Sequence, residues 1–286
     1  MKKLSDWKSR LTTSSLISAF VAASIYLAFS PIGWLLVLGF FILLGVIAAI
    51  EFCVLADHKG LKLSKKTMAT FAGLYIIASF ASSFIMNFNF LPVFILTLGV
   101  IILFFIHKNP TEEPLAHIST AAFGLMYIAV PLGFMVYILY GPYIVEDGRM
   151  WFIYFLGSVK IGDVAAYFFG KTLGTNTLSN ISPKKTREGF VAAVISGLAF
   201  SIGFYFFIQL PNIWPMRLTL WQAIFLGISL PMVGQFSDLS ESLLKRDAHV
   251  KDSNQLPGLG GVLDMVDSLL FSSAFLYFYI KVTHFI

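Results

Sequence analysis

Charge is what this sequence has least of: Asp, Glu, Lys and Arg make up 12% of its 286 residues, roughly half the share of an average soluble domain. Apolar side chains fill 57% of it, with 30 Phe among them. A water-soluble fold of that composition would expose large apolar patches, so a soluble globular protein is excluded and the surplus must face lipid. Cysteine is nearly missing as well. Cys53, the single one, allows no disulfide within the chain and, lying in an apolar run, reads as a small core residue. The Gly-rich turn at Gly258, Gly260 and Gly261 is not a Walker A loop, because no Gly-Lys-Ser/Thr follows it at the right spacing, and it is not a dinucleotide fingerprint after a strand. His58, His107, His117, His249 and His284 are scattered without metal-ligand spacing, and no serine nucleophile has a plausible histidine partner.

The net charge of +5 would suggest nucleic acid in a soluble protein. Here the basic residues sit in short loops, where membrane orientation explains them better, and no nucleic-acid partner is expected. The basic stretch Met1 to Arg10 precedes an apolar run without a small-residue cleavage site, so it reads as the start of an uncleaved first helix.

Apolar runs of about 17 to 25 residues are long enough to cross the hydrocarbon as helix. They lie near Ser14 to Ser30, Ile32 to Ala56, Lys66 to Met86, Asn89 to Ile106 and His117 to Tyr140, then Met150 to Gly170, Gly189 to Leu210, Thr219 to Leu239 and Val262 to Val282. Pro31, Pro110, Pro142, Pro183 and Pro211 fall in or beside the breaks, where a missing N–H costs least. The expected fold is all-α, a polytopic membrane bundle of about nine helices. With the N-terminus placed in the cytoplasm, and Lys66 counted at the mouth of the third span, the inward segments hold 16 of the 20 Lys and Arg. That bias supports the orientation and puts the two longest polar loops, 171–188 and 240–261, on the cytoplasmic face. One membrane domain over 1–286 is expected, with 1–150 mainly scaffold and 151–286, where polar density rises, the working half.

Three clusters carry the candidate chemistry: Lys160-Ile-Gly-Asp163 leading to Ser182-Pro-Lys-Lys-Thr-Arg-Glu-Gly189, then Gln235 to Arg246, then Lys251-Asp252 and Pro257 to Ser268. Ionisable groups at membrane depth are costly unless paired, hydrated or ion-bound. Lys160 and Asp163, at i and i+3, can neutralise each other on one helix face. Asp238, Ser242 and Lys245 form one helical stripe, and Asp264 and Asp267 are a turn apart. Carboxylates beside a glycine turn suit a divalent ion of the magnesium type, although Asp264 near a helix start can also serve as a cap. Interleaved with Lys184, Lys185, Arg187, Lys245, Arg246 and Lys251, they fit a phosphate-rich substrate held by metal and by Lys and Arg together.

At these residues the sequence resembles the phosphatidate cytidylyltransferase, or CDP-diacylglycerol synthase, family. Ser182 to Gly189 is similar to its SPKKTxEG element. Ser242-Leu-Leu-Lys-Arg246, Lys251-Asp252 and Pro257-Gly-Leu-Gly-Gly-Val-Leu-Asp264-x-x-Asp267 follow its signature in order. Asp163-Val-Ala-Ala-Tyr167 with Gly170-Lys171 resembles the preceding segment, and Glu51-Phe52 a Glu-Phe pair of an early span. Leu259 and Met265 stand where the signature has His and Arg, and Ser237 replaces a common Gly. The resemblance implies transfer from CTP to phosphatidic acid, giving CDP-diacylglycerol and pyrophosphate at a bacterial inner membrane, with the site facing the cytoplasm. It implies Mg2+ on Asp238, Asp264 and Asp267, and leaves a second cation open. Lys184, Lys185, Lys245 and Arg246 would clamp phosphates, with Ser242 beside them. Asp163, Ser182, Lys251, Asp252, Gly258, Gly260 and Gly261 are the expected substrate contacts. Membrane lipid is the surrounding partner, and a homodimer is a further candidate assembly. A CTP-dependent lipid or polyprenol kinase, and a transporter with an intramembrane ion site, remain alternative readings of the same clusters.

Overall fold

In the computed structural model, residues 22–85, 89–107, 113–141, 148–210, 216–251 and 261–283 are described. They form eight helices: α1 (Pro31–Asp57), α2 (Lys65–Phe84), α3 (Leu91–Ile106), α4 (Pro114–Tyr140), α5 (Gly148–Leu173), α6 (Arg187–Ile208), α7 (Leu220–Asp247) and α8 (Val262–Thr283). Seven of these are long and apolar enough to cross a membrane, while α3 is apolar but shorter. Among the described residues there is no strand, only an isolated bridge between Thr177 and Thr186. The chain is an all-helical polytopic membrane protein. Of the first expected span, Ser14 to Ser30, residues 14–21 lie outside the described residues and 22–26 are helical.

Local chemistry sets several helix starts. Ser30 accepts the Gly33 N–H at 3.0 Å ahead of Pro31 at the first helical position, satisfying a donor that the helix cannot. Ser64 and Thr186 cap α2 and α6 in the same way. Two helices run past the ends that hydropathy suggests. Helix α7 continues from Leu239 to Asp247 and α5 from Gly170 to Leu173. Ser-Glu-Ser-Leu-Leu-Lys-Arg is polar enough to end an apolar window, yet it contains no Gly or Pro to end a helix.

By internal contacts the chain divides into two compact units, residues 1–132 with 248–265 and residues 133–247 with 266–286. In the first unit α2 packs against both α1 and α3, over a core that includes Phe41, Phe52, Met68, Ile76 and Ile128. In the second, α6 packs on α5 and α7, and α5 also meets α7. Small residues make this close approach possible. A Cβ built on Gly197 would lie 2.1 Å from Pro231 Cγ, and one on Gly162 would lie 3.0 Å from Pro231 Cβ. Polar bonds lock the same helices: Tyr154 Oη and Ser201 Oγ are 2.5 Å apart, and Ser201 donates to the Ala223 carbonyl at 2.6 Å. Such bonds count inside a bilayer because water cannot replace them. Exposed apolar side chains such as Val164, Phe206 and Trp221 are suited to lipid.

Candidate active site

Charged residues of α5, α7 and α8, and of the segment before α6, come together in the second unit. That segment is folded tightly. Leu178 N–H donates to the Lys185 carbonyl at 2.7 Å, Lys185 N–H to the Ser182 carbonyl at 3.0 Å, and Arg187 N–H to the Asn176 carbonyl at 2.9 Å. Glu188, in the first turn of α6, accepts from Thr175 Oγ1 at 2.8 Å and Asn176 Nδ2 at 3.0 Å. The consequence is a fixed Lys185, whose Nζ lies 2.7 Å from Asp238 Oδ2 and 3.4 Å from the Gln235 carbonyl. Lys184 next to it is exposed and Ser182 half-buried.

On α7 the spacing Asp238, Glu241, Ser242, Lys245 puts all four on one face. Glu241 is fully buried, and Lys245 Nζ pairs with its Oε2. Ser242 Oγ is 3.5 Å from Asp238 Oδ1. Arg246, one residue on, is exposed. From α8 comes Asp267. Oxygens of Asp238, Glu241 and Asp267 all lie within 4.8 Å of one another, close enough that their mutual repulsion demands a cation or ammonium groups among them. An all-oxygen, all-carboxylate set is the donor chemistry of a hard divalent ion, so these three residues fit one.

A second polar network abuts the cluster. Asp163 on α5 accepts from Gln235 Nε2 at 3.0 Å, Ser268 Oγ at 2.7 Å and Lys160 Nζ at 3.4 Å. Lys160 also donates to Ser268 at 2.9 Å. The expected Lys160–Asp163 pair is therefore present, but as part of a three-helix network. Ser237, where a Gly was expected, donates to the Asp267 carbonyl and accepts the Phe271 N–H at 3.2 Å, linking α7 to α8 at the rung that carries Asp267.

In the first unit Asp264 accepts the Gly261 N–H at 2.8 Å, a capping interaction at the start of α8. Lys251 is exposed. Asp252, Gly258 and Gly260 lie outside the described residues. Glu241, Gln235 and Ser268 fall inside the clusters singled out from the sequence, but the sequence assigned them no role. Glu241 had a signal, three residues after Asp238 on the same face. Gln235 and Ser268 had none, because their partner is 72 and 105 residues away.

Comparison with known proteins bears on what such a site does. The profile of the cytidylyltransferase family matches residues 9–283. A phosphatidate cytidylyltransferase of Chlamydia pneumoniae is 32% identical over 97% of this chain and 93% of that protein. One from Synechocystis is 30% identical over 94% of this chain and 97% of its own length. One from Chlamydia muridarum is 35% identical over 68% of this chain and 65% of that protein. The matched stretch takes in all eight helices and every residue of the acidic cluster: the chain belongs to the cytidylyltransferase family.

Proposed function

We propose that this protein is a phosphatidate cytidylyltransferase, transferring the cytidylyl group of CTP to phosphatidic acid. The observation that carries this reading is family membership over nearly the whole chain together with relatives of that name that match over more than nine-tenths of both lengths. In the reaction a phosphate oxygen of phosphatidic acid forms a bond to the α-phosphorus of CTP. The bond from that phosphorus to the β-phosphate bridging oxygen breaks, and pyrophosphate leaves with the electron pair. A phosphomonoester dianion is already nucleophilic, so no strong general base is needed, and positioning and charge stabilisation supply the acceleration.

The residues divide that work. A magnesium-type ion on Asp238, Glu241 and Asp267 would offset charge on the nucleotide phosphates and the departing pyrophosphate. Asp264, the further ligand that the family signature implies, caps the start of α8 in the first unit. Lys185 and Lys245, whose ammonium groups pair with Asp238 and Glu241, would offer those groups to phosphate oxygens of the substrates. Lys184 and Arg246, both exposed, extend the positive surface toward solvent, where CTP arrives. Asp163, with Lys160, Gln235 and Ser268, holds α8 so that Asp267 stays in place. Residues 151–286 are thus the working half. Lys and Arg distribution supports a cytoplasmic N-terminus and a cytoplasmic site, and the bacterial relatives support a bacterial inner membrane.

The test is purified protein in detergent with CTP labelled at the α-phosphate, phosphatidic acid and Mg2+. Label entering the lipid phase, pyrophosphate release, and loss of both on chelation are expected. Unlabelled phospholipid with CDP released would replace this reading with a kinase. No turnover by folded protein would end it.

A further inference from the structure

Glu51 stands far from the charged half of the sequence and is among the most deeply buried acids, 1% exposed. It lies near the end of α1, and its carboxylate reaches the first turn of α8. Oε1 accepts the Val262 N–H at 2.9 Å and Oε2 the Leu263 N–H at 2.8 Å. Both partners belong to the first unit. The first amides of a helix have no acceptor within it, and the helix end carries partial positive charge, so a carboxylate is well matched there. Asp264 Oδ2 takes the preceding N–H, that of Gly261. Three consecutive amides, 261 to 263, are therefore all held by carboxylates.

This chain ends other helices more simply. Ser30, Ser64 and Thr186 cap α1, α2 and α6, each with one bond from the residue just before the helix. A carboxylate buried in the membrane region is costly without such partners. Bringing one from 211 residues away does what a local cap cannot. It ties the first turn of α8, through two oxygens of one planar group, to a different helix, and so fixes that turn's height and rotation. The turn carries Asp264 and follows the glycine stretch.

We propose that Glu51 is a positioning residue for the transfer reaction, holding the first turn of α8 in the register in which Asp264 works. This rests on the cytidylyltransferase reading above. Glu51 touches no substrate in this role; it acts through α8.

Full-length protein carrying Glu51→Gln, Glu51→Asp, Asp264→Asn or Glu51→Gln with Asp264→Asn is compared with wild type. The measurements are kcat, KM for CTP, thermal unfolding in detergent, and amide hydrogen exchange over residues 261–265. Glu51→Gln keeps one good acceptor and loses the charge. It should lower kcat about 10- to 100-fold, as a small misplacement of working groups does, with KM for CTP changed less than about threefold. Exchange at Val262 and Leu263 should rise while other helices hold. Glu51→Asp keeps the charge but is a methylene too short to meet both amides, so it should not rescue kcat. It also serves as the test if Glu51→Gln fails to fold. The double variant should be no slower than Asp264→Asn alone, as expected for residues acting as a unit. Wild-type kcat in Glu51→Gln, a loss that merely tracks the folded fraction, or losses that multiply in the double variant would overturn the proposal. Unchanged exchange would overturn the tie itself. An inactive wild type would instead overturn the reading of the reaction and remove the catalytic role with it, whatever exchange shows.

Discussion

Removing the Asp163 carboxylate tests whether the network across α5, α7 and α8 holds the second unit together. Asp163 accepts three bonds, from Gln235, Ser268 and Lys160. Polar bonds in membrane bundles average about 0.6 kcal/mol, whereas bonds to charged groups elsewhere reach about 1.5–3 kcal/mol. The Lys160 side chain is 43% exposed, so its share is screened and belongs at the low end. Taking the Gln235 and Ser268 bonds between those bounds puts the loss in Asp163→Ala at roughly 2–5 kcal/mol. The assay is reversible unfolding in bicelles, read as a free energy. A loss below about 0.5 kcal/mol, the size of an ordinary surface substitution, would refute the reasoning. A cycle with Lys160→Met sharpens it. Asp163→Ala leaves the half-exposed Lys160 ammonium without this carboxylate, so removing both should cost about 0.5 kcal/mol less than the sum of the single losses. Strict additivity would mean that the pair is not coupled and that Gln235 and Ser268 alone carry the effect.

Glu241→Gln should cut CDP-lipid formation by at least about 100-fold, as loss of a preorganised charge-stabilising group does, and raise the Mg2+ concentration needed for half-maximal rate. An unchanged Mg2+ titration would remove Glu241 from the ion site. Lys185→Met should lower the rate while leaving the fold largely intact, because the segment before α6 keeps its own backbone bonds and those to Glu188. A collapse of thermal stability would contradict that. Gly197→Val places a Cβ 2.1 Å from Pro231 Cγ and 3.0 Å from the Gly227 carbonyl, which should cost about 1–3 kcal/mol or prevent folding. Gly39→Val, with nothing within 4 Å of its Cβ, is the matched control and should be near neutral by thermal unfolding.

Hydropathy and charge spacing revealed different things about this molecule, for one physical reason. A lipid-facing helix must be apolar along its length, so spans show as runs, and α1 to α8 fall where the runs lie. Their ends show poorly. Helix α7 outlasts its apolar run by eight residues, Ser240 to Asp247, because backbone bonding continues wherever no Gly or Pro interrupts it, whatever the side chains prefer as solvent. The site obeys the opposite rule. Charge at membrane depth is tolerated only with a partner, so every acid or base inside a span announces that a partner exists without saying where. Lys160 and Asp163 could be paired by spacing alone. Gln235 and Ser268, the other two members of that network, are uncharged, and nothing local marks them. Glu241 shows the middle case: its spacing from Asp238 and Lys245 fixes the face it shares, but only packing brings Asp267 to the same place. Glu51 is the limiting case, an acid in the first half whose acceptors are satisfied by backbone amides of α8. Amides carry no side-chain signature, so no reading of residue types could have found them. Acids buried in the apolar half of such a chain are therefore where structure adds most, since each must be neutralised by something the sequence does not display.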